Sequence, residues 1–431
     1  MFRHRSWLKT LRVLTIGLVA VGVVAATASE APARRSPFEP LSLFARALAF
    51  IELAYVEPVD QEELVHGAIR GLAESLDPHS VYMDPEEYEI FNSDSEGRFA
   101  GIGVEVSIKD GWITILSVFD GGPAKRGGLQ PGDRFLAIDG EEARDMRIYD
   151  AVRMIRGEPG TSVDVTIRRE GAPDAIEATL TRAFIEIDPV EVEVLEGGIA
   201  YVRIEAFQDG TARALRDALD QAVVSLKRRG GVRGVLLDLR DNGGGLLDEA
   251  IWVSDEFLAS GVIVTTRGRD QREVARYTAR RGGTRPKWPI VVLINENTAS
   301  ASEIVAGALQ DHERATLVGV RSFGKGSVQT IFDLPGGSAL KLTISRYYTP
   351  SGRSIQALGI TPDLHADQPR PNGDPEPYRE EELDGHLEAT RTSKTPSTGR
   401  EAPPVSGEIP KRFEEDMQAA RAYVVLRDLT R

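Results

Sequence analysis

The chain has 431 residues, which is long enough for two or more domains. Its formal net charge of -14 argues against a nucleic-acid-binding protein, because the binding faces of such proteins are basic. The absence of cysteine excludes disulfides, thiol nucleophiles and thiolate metal sites. The six histidines are scattered and form no H-E-x-x-H motif, so the sequence predicts no metal site.

Residues 1–28 have the pattern of a secretory signal peptide. Four basic residues precede the uncharged run from Val13 to Ala26, and Ala26-Thr27-Ala28 is an A-x-A cleavage signal. The run is short for a membrane span of about 20 residues. We therefore expect cleavage after Ala28 and export of the remainder, for example to the periplasm. An uncleaved inner-membrane anchor is the alternative.

Residues 29–98 are predicted to be a linker rich in proline, alanine and arginine, followed by a helical segment. Apolar residues recur at helical spacing in two groups: Leu41, Phe44, Leu48, Ile51 and Tyr55, then Leu64, Ala68, Ile69 and Leu72. After the helices, His79 follows Asp77-Pro78 and is predicted to be a turn residue and not a metal ligand.

Residues 99–182 are predicted to form a separate module. Strand patterns run from Ile113 to Val118 and from Val163 to Arg168, and helix patterns from Pro123 to Leu129 and from Ala151 to Ile155. In this order they resemble a PDZ domain. The resemblance implies that loop amides bind a C-terminal carboxylate while the next strand pairs with the peptide. The implied loop residues are Gly101, Ile102, Gly103 and Val104.

Residues 183–365 alternate strands with helices, which indicates an α/β core. The predicted strands are Ile199 to Ile204, Val235 to Leu239 and Ile290 to Ile294. The predicted helices are Thr211 to Lys227, Leu246 to Leu258 and Ala301 to Leu309. The glycine cluster from Gly243 to Gly245 lies between a strand and a helix, where it could cradle a phosphate.

Ser300 also lies between a strand and a helix N-terminus. Ser300-Ala301-Ser302-Glu303 fits the S-x-x-E capping box, so the serine could merely cap the helix. It could instead be a nucleophile, because the amide of Ala301 would point toward a developing oxyanion. A serine attacks a carbonyl only if a neighbouring base accepts its proton.

Lys325 is the candidate base. The flanking Gly324 and Gly326 allow the backbone to pack closely around the amine, and burial would lower its pKa. A solvated turn lysine is the alternative. A third interpretation is a phosphate loop, because residues 319–325 match G-x-x-x-x-G-K. That motif then needs Ser or Thr and a helix, whereas Gly326 and a strand pattern follow here. A Ser–His triad that uses His312 also stays open.

The segments TASASEIVAGALQD and FGKGSVQ resemble the serine and lysine motifs of the carboxyl-terminal processing peptidases, also called tail-specific proteases. The resemblance implies Ser300 as nucleophile, Lys325 as general base and Gln329 as the residue that orients the lysine. It extends over residues 41–364. It implies a crotonase-like, or Clp-like, α/β serine peptidase core.

The segment from Asp238 to Gly245 resembles the oxyanion segment of the same family. The resemblance implies that the amides of Gly244 and Ala301 hold the oxyanion. Gly243 occupies a position where proline is usual in the family, which makes the turn looser.

Residues 366–410 are rich in Pro, Glu, Ser, Thr and Gly, and we expect a disordered linker there. Residues 411–431 are predicted to contain a terminal helix from Phe413 to Leu426. Its apolar stripe is predicted to pack on the core in preference to a partner subunit.

These features predict a multidomain α/β protein with a helical N-terminal segment, a PDZ domain and a serine peptidase core. We expect an exported endopeptidase that recognises free C-termini of proteins or peptides, binds no nucleic acid, and needs no metal or other cofactor. The alternatives are an inactive PDZ-bearing scaffold and a P-loop nucleotide enzyme. The sequence leaves open a homo-oligomer, an adaptor protein and attachment to the inner membrane through the N-terminus.

Overall fold

The computed structural model describes residues 39–95, 98–119, 121–186, 188–228, 230–280, 285–369, 378–390 and 399–431. The predicted signal peptide lies outside these ranges. The chain divides into two compact units, the first ending at Ala68 and the second running from Ile69 to Arg431. Within the described ranges, no helix combines the length and the apolar character that crossing a membrane requires.

The helices and strands of the described ranges are labelled in chain order. The α-helices are α1 (Glu39–Ala54), α2 (Gln61–Glu74), α3 (Pro85–Ser95), α4 (Pro123–Arg126), α5 (Ile148–Ile155), α6 (Thr211–Leu226), α7 (Leu247–Phe257), α8 (Ala301–Asp311) and α9 (Met417–Leu429). The strands are β1 (Val81–Met83), β2 (Arg98–Gly101), β3 (Val104–Lys109), β4 (Trp112–Val118), β5 (Arg134–Ile138), β6 (Glu141–Glu142), β7 (Ser162–Arg168), β8 (Ile176–Thr181), β9 (Ala183–Glu186), β10 (Val190–Leu195), β11 (Ile199–Ile204), β12 (Gly234–Asp238), β13 (Val262–Arg267), β14 (Glu273–Thr278), β15 (Ile290–Ile294), β16 (Thr316–Gly319), β17 (Ser327–Asp333), β18 (Ala339–Tyr348), β19 (Leu364–His365) and β20 (Arg400–Glu401).

A seven-stranded sheet in the order β10-β11-β12-β15-β16-β19-β20 forms the centre of the second unit. All neighbouring strands are parallel except β10, which is antiparallel to β11. Every residue of β12 and β15 is buried, as expected for strands covered on both faces. Leu237 packs in the apolar cluster with α6, α7 and α8, whereas Leu236 packs in the cluster with α9.

The carboxyl edge of this sheet positions the loops that matter for function. The segments after β12 and β15 emerge from neighbouring parallel strands and therefore meet at one edge. Leu239 N donates to Leu293 O at 3.0 Å, and Ala299 N donates to Asn242 O at 3.0 Å. The glycine cluster and the Ser300 turn thus lie against each other.

A second sheet, in the order β1-β18-β13-β14 with β17 paired to β18, brings in the lysine segment. Strand β17 begins two residues after Lys325. In its antiparallel register with β18, Gln329 lies opposite Thr343.

The predicted PDZ module folds around its own sheet, in the order β3-β4-β5-β7-β8, with β6 paired to β5. A separate apolar cluster fills its interior. Strand β3 is at the edge of the sheet. Antiparallel pairing of β2 with β9 joins the start of the module to its end.

The C-terminal region differs from the expected linker. Of residues 366–410, the parts at 378–390 and 399–410 pack on the core: Glu380 and Ala402 are buried, and β20 pairs with β19. Pairing with β19 satisfies the backbone hydrogen-bonding groups of β20, which the composition had led us to expect in contact with water. Helix α9 begins at Met417, later than predicted, because Asp416 caps it by accepting from Ala419 N. Its predicted packing on the core is confirmed.

Candidate active site

Ser300 lies in the turn between β15 and α8. Its backbone has φ 55° and ψ −113°, a combination that is costly for a residue with a side chain. Two contacts hold the turn: Thr298 Oγ1 donates to Leu239 O at 2.8 Å, and Ala299 N donates to Asn242 O at 3.0 Å. A strained serine in a strand-to-helix turn, fixed by its surroundings, is typical of an enzymatic nucleophile.

Glu303 is a fully buried carboxylate in the first turn of α8. Its Oε2 accepts from the amides of Ser300 at 2.8 Å and Lys325 at 2.9 Å. Its Oε1 accepts from the amide of Gly324 at 2.8 Å and the hydroxyl of Ser322 at 2.6 Å. The Glu303 side chain therefore joins the backbone of the turn that contains Ser300, called the serine turn below, to the backbone of the segment that contains Lys325.

The sequence identified Glu303 only as the acidic partner in the capping box, and the box is formed. The bridging function was missed, because a spacing of three residues gives no hint of donors that are 19 to 22 residues away. Burial raises the pKa of Glu303 to about 7, although the hydrogen bonds favour the ionised form. Since both oxygens accept two hydrogen bonds, protonation of either would weaken the bridge.

Residues 321–326, called the lysine turn below, are packed tightly by backbone. A Cβ on Gly326 would lie 2.2 Å from Gln356 N, and one on Gly324 would lie 3.2 Å from Gly359 N. Gly326 N donates to Gln356 Oε1 at 3.0 Å. The close approach that the two glycines were expected to permit is confirmed.

Burial lowers the pKa of Lys325, and three carboxylates oppose this effect: Glu380, then Glu303, then Asp77. The sequence showed no acidic neighbour of Lys325, since these residues reach it from other parts of the chain. The net direction is still downward, because desolvation of the ammonium outweighs the attraction of the anions. The amine is therefore easier to deprotonate than that of a solvated lysine.

Gln329 lies on β17, four residues after Lys325. Its Nε2 donates to Ser327 Oγ at 3.0 Å and to Thr343 Oγ1 at 3.2 Å. Thr343 in turn donates to Asp77 Oδ1 at 3.1 Å. The amide nitrogen is thus fixed, and so is the orientation of the side chain.

The glycine cluster meets the serine turn at Gly244, which has φ 101°. A Cβ there would lie 2.8 Å from both Ala301 N and Ser300 Cβ. The Gly244 amide, however, donates to Asn242 Oδ1 at 2.9 Å, so it is already occupied, unlike the expected oxyanion donor. Within the part of the chain that the structure describes, no hydrogen bond takes up the Ala301 amide.

His312 is at the opposite end of α8 from Ser300, as its C-cap. Twelve residues of helix correspond to about 18 Å. Its Nε2 is 2.7 Å from Val262 O. The structure therefore separates His312 from Ser300, and the Ser–His alternative is wrong because the helix holds the two residues apart.

The phosphate-loop alternative is also wrong. Strand β17 follows the lysine turn, where the motif requires a helix. The amides of Gly324 and Lys325, which would have to bind phosphate, already donate to the Glu303 carboxylate. The Glu303 carboxylate therefore accepts the hydrogen bonds that a bound phosphate would need.

The PDZ loop residues line a groove of about 320 Å³. Gly101, Ile102, Gly103 and Val104 form one side, and Val152 and Ile155 of α5 form part of the other. Ile102 is itself buried, and its carbonyl accepts from Ala124 N at 2.7 Å. The groove also reaches Ala206 and Gln208, which belong to the segment after β11 in the catalytic core. The predicted loop thus flanks an open space beside the edge strand β3.

Sequence profiles agree with this architecture. The profile of Peptidase family S41 matches residues 198–366, that of a PDZ domain residues 114–169, and that of the activating protease CtpB N-terminal domain residues 21–87. A carboxy-terminal-processing protease of Bartonella bacilliformis is 40% identical over 400 residues, covering 91% of this chain and 89% of that protein. The chain belongs to Peptidase family S41.

Other members of the family are similar over most of their length. The carboxy-terminal processing protease CtpA of Bacillus subtilis is 36% identical and covers 78% of this chain and 70% of its own. The solved structure of a photosystem II D1 C-terminal processing protease has a TM-score of 0.53 at 30% identity, covering 77% of this chain and 88% of its own. The chain is thus a carboxy-terminal-processing serine protease with a PDZ domain, as the sequence motifs predicted.

Gly244→Ala should abolish most activity of this peptidase. The new Cβ would sit 2.8 Å from Ser300 Cβ and Ala301 N, at a positive φ that alanine disfavours, and would displace the serine turn. Gly243→Ala is the matched control, because a Cβ there meets nothing within 4 Å. We expect kcat/KM to fall about 100-fold or more in Gly244→Ala, and to change little in Gly243→Ala. Equal activities of the two variants would contradict the described contact.

Proposed function

We propose that this peptidase is exported and cleaves its substrates near their C-termini with a Ser300–Lys325 dyad. The observation that carries the proposal is the shared acceptor Glu303 Oε2, which receives the amides of both residues. Two amide nitrogens on one oxygen are separated by less than about 6 Å. The two side chains therefore start from neighbouring points of the backbone, although they are 25 positions apart in sequence.

The first step is attack of Ser300 Oγ on the scissile carbonyl carbon, while the neutral Nζ of Lys325 accepts the hydroxyl proton. Negative charge develops on the carbonyl oxygen. In this proposal the amide of Ala301, the first of α8, donates to that oxygen, and the positive end of the helix dipole stabilises the charge. Because Gly244 has no side chain, its loop can approach Ser300 closely. The amide of Gly244 is itself bonded to the side chain of Asn242.

In the second step the Lys325 ammonium returns the proton to the leaving amine, and the C–N bond breaks. An acyl-enzyme on Ser300 remains. Water then attacks it, with Lys325 again accepting a proton and returning it to Ser300 Oγ. Gln329 supports these transfers: its Nε2 is held by Ser327 and Thr343, so its Oε1 is the atom left to orient the lysine.

Substrate selection is assigned to the PDZ groove. Loop amides at residues 101–104 would bind the C-terminal carboxylate, and the edge of β3 would pair with the preceding residues as an added strand. The groove ends against Ala206 and Gln208 of the core. Between these two, Phe207 N donates to Gly244 O at 2.9 Å, so the same segment borders both the groove and the serine turn.

Export is proposed from the basic start, the apolar run and the A-x-A site at residues 26–28. An exported peptidase would meet envelope proteins, and we propose these as its substrates. N-terminal sequencing of the mature protein should begin at Ser29, and a chain that still begins at Met1 would instead be anchored.

The dyad predicts that two substitutions of Lys325 have the same effect. Lys325→Met removes the base but keeps a linear side chain, whereas Lys325→Arg keeps a charge that cannot be lost near neutral pH. Both should lower kcat/KM by about 1000-fold or more, close to Ser300→Ala, because members of a catalytic unit are not additive. His312→Ala should retain most activity. For the wild type, kcat/KM should rise with pH as the amine deprotonates, below the 10.5 of an ordinary lysine.

A serine-reactive fluorophosphonate separates failure of the dyad from an inactive scaffold. The wild type should be labelled at Ser300, and Lys325→Met should not. Substantial turnover by Lys325→Arg, or its loss in His312→Ala, would contradict the dyad. A folded wild-type protein that is neither labelled nor active would support the scaffold.

The PDZ assignment predicts a dependence on the substrate carboxylate. A peptide with a free apolar C-terminus should be cleaved faster than its C-terminal amide, about tenfold or more at concentrations below KM. Gly103→Trp should remove this preference by displacing the loop, because its Cβ would lie 3.1 Å from Ile185 Cδ1 at a positive φ that a side chain disfavours. Gly171→Trp is the matched control, because Gly171 has a similar φ (82° against 79°) but lies in open space. Equal rates for the acid and the amide in the wild type would refute carboxylate recognition.

A further inference from the structure

Residues 378–390, called the strap below, cover the back of the lysine turn, although their composition suggested a linker. Glu380 N donates to Phe323 O at 3.2 Å. Arg379 Nη1 donates to Arg321 O at 2.7 Å and to Ser322 O at 3.0 Å. The matched Peptidase family S41 region ends at residue 366, so the strap lies outside it. Its contacts with the lysine turn are nevertheless with backbone atoms beside the candidate base.

Glu380 is the buried residue of the strap, with no exposed surface. Its Oε1 accepts from Gln356 Nε2 at 2.7 Å. The same Gln356 accepts from the amide of Gly326 at 3.0 Å. Two hydrogen bonds therefore connect the carboxylate to the residue next to Lys325.

The other oxygen of Glu380 is held by the N-terminal part of the unit. His79 Nε2 lies 2.8 Å from Glu380 Oε2, and its side chain is only 15% exposed. Asp77, in the same turn, accepts from Thr343, which accepts from Gln329. The turn before β1 thus reaches both Gln329 and the carboxylate behind Lys325.

The charged groups around Lys325 come from four elements. Glu303 belongs to α8, Glu380 to the strap and Asp77 to the turn before β1, and all three oppose the lowering of the Lys325 pKa, Glu380 most. Lys341 of β18 is a neighbouring cation: burial, and then the charge of Lys325, lower its pKa to about 8. Among the carboxylates, Glu303 also holds the serine turn, whereas Glu380 contacts Gln356 behind the lysine turn and His79 in the turn before β1.

We propose that Glu380 is a positioning residue for Lys325: fixed by His79 and Gln356, it holds the lysine turn from behind and supplies negative charge to the base. The proposal rests on the Ser300–Lys325 dyad. It assigns a part in the reaction to a segment outside the matched peptidase region.

The test compares the pH dependence of kcat/KM in three variants. Glu380→Gln keeps an acceptor for Gln356 but removes the charge, so the lysine loses its proton more easily. The acid limb of the kcat/KM profile, which is the part that rises as Lys325 loses its proton, should move to lower pH by about 1 unit. Glu380→Asp keeps the charge but is too short to reach Gln356 and His79 together, so kcat should fall about tenfold without a downward shift. Glu381→Gln is the control: it makes the same change at the next residue, whose side chain is 43% exposed and pairs with Arg321.

A purely structural carboxylate would lower activity or thermal stability without moving the limb. An unmoved limb in Glu380→Gln, or an equal shift in Glu381→Gln, would therefore overturn the proposal. Lys325→Met is assayed in parallel, because an active methionine variant would refute the dyad itself, independently of Glu380. If Glu380→Gln does not fold, the double variant Glu380→Gln/His79→Gln places two amides that can hydrogen-bond to each other at these positions. Its kcat/KM is then measured against pH in the same way.

Discussion

The buried carboxylate of Glu303 is the interaction on which the rest of the site depends. Four donors from two segments converge on its two oxygens. An ionised group in the protein interior is stable only when it is fully hydrogen-bonded. Here the bonds that stabilise the charge also set the separation of the serine turn and the lysine turn. Loss of any one donor would leave a buried charge under-compensated, so the serine turn and the lysine turn are tied together by an energetic requirement.

That arrangement carries an electrostatic conflict for the proposed dyad, because its base, Lys325, must lose a proton while anions lie nearby. Burial favours the neutral amine of Lys325, and Glu380, Glu303 and Asp77 favour the ammonium. A difference of one pKa unit corresponds to about 1.4 kcal/mol, or a tenfold change in the neutral fraction. In the proposed dyad, the strap and the turn before β1 would therefore affect Lys325 through charge as well as through support. A base with a pKa near the working pH can both accept a proton from Ser300 and return it to the leaving amine.

The fold could be predicted from sequence, and Ser300 and Lys325 could be proposed as the reacting residues, because both inferences rest on local patterns. The apolar runs of β12 and β15 and the helical spacing of α8 are readable in short windows. The family resemblance was carried by the residues around Ser300 and Lys325, and the family itself is confirmed.

Three features were missed, and two of them depend on contacts between distant segments that no local pattern contains. Glu303 was identified as a helix-capping residue, since its donors at the lysine turn come from another loop. Glu380 lies in a stretch whose composition indicates disorder, yet it is buried and its carboxylate contacts the distant residues His79 and Gln356. Gly244 was expected to donate its amide, but the side chain of Asn242 two residues earlier takes that bond.

The central claim is that Lys325 is held in a state from which it readily gives up its proton. The most direct measurement is the titration of this side chain by NMR, in protein labelled with ¹³C at the lysine ε-carbons. The Lys325 resonance would be assigned by its absence from the spectrum of an otherwise identical Lys325→Arg protein. The account predicts a midpoint clearly below the ordinary value of 10.5. A midpoint at or above 10.5 in the folded wild-type protein would contradict it, because the site would then not favour the neutral amine relative to a solvated lysine.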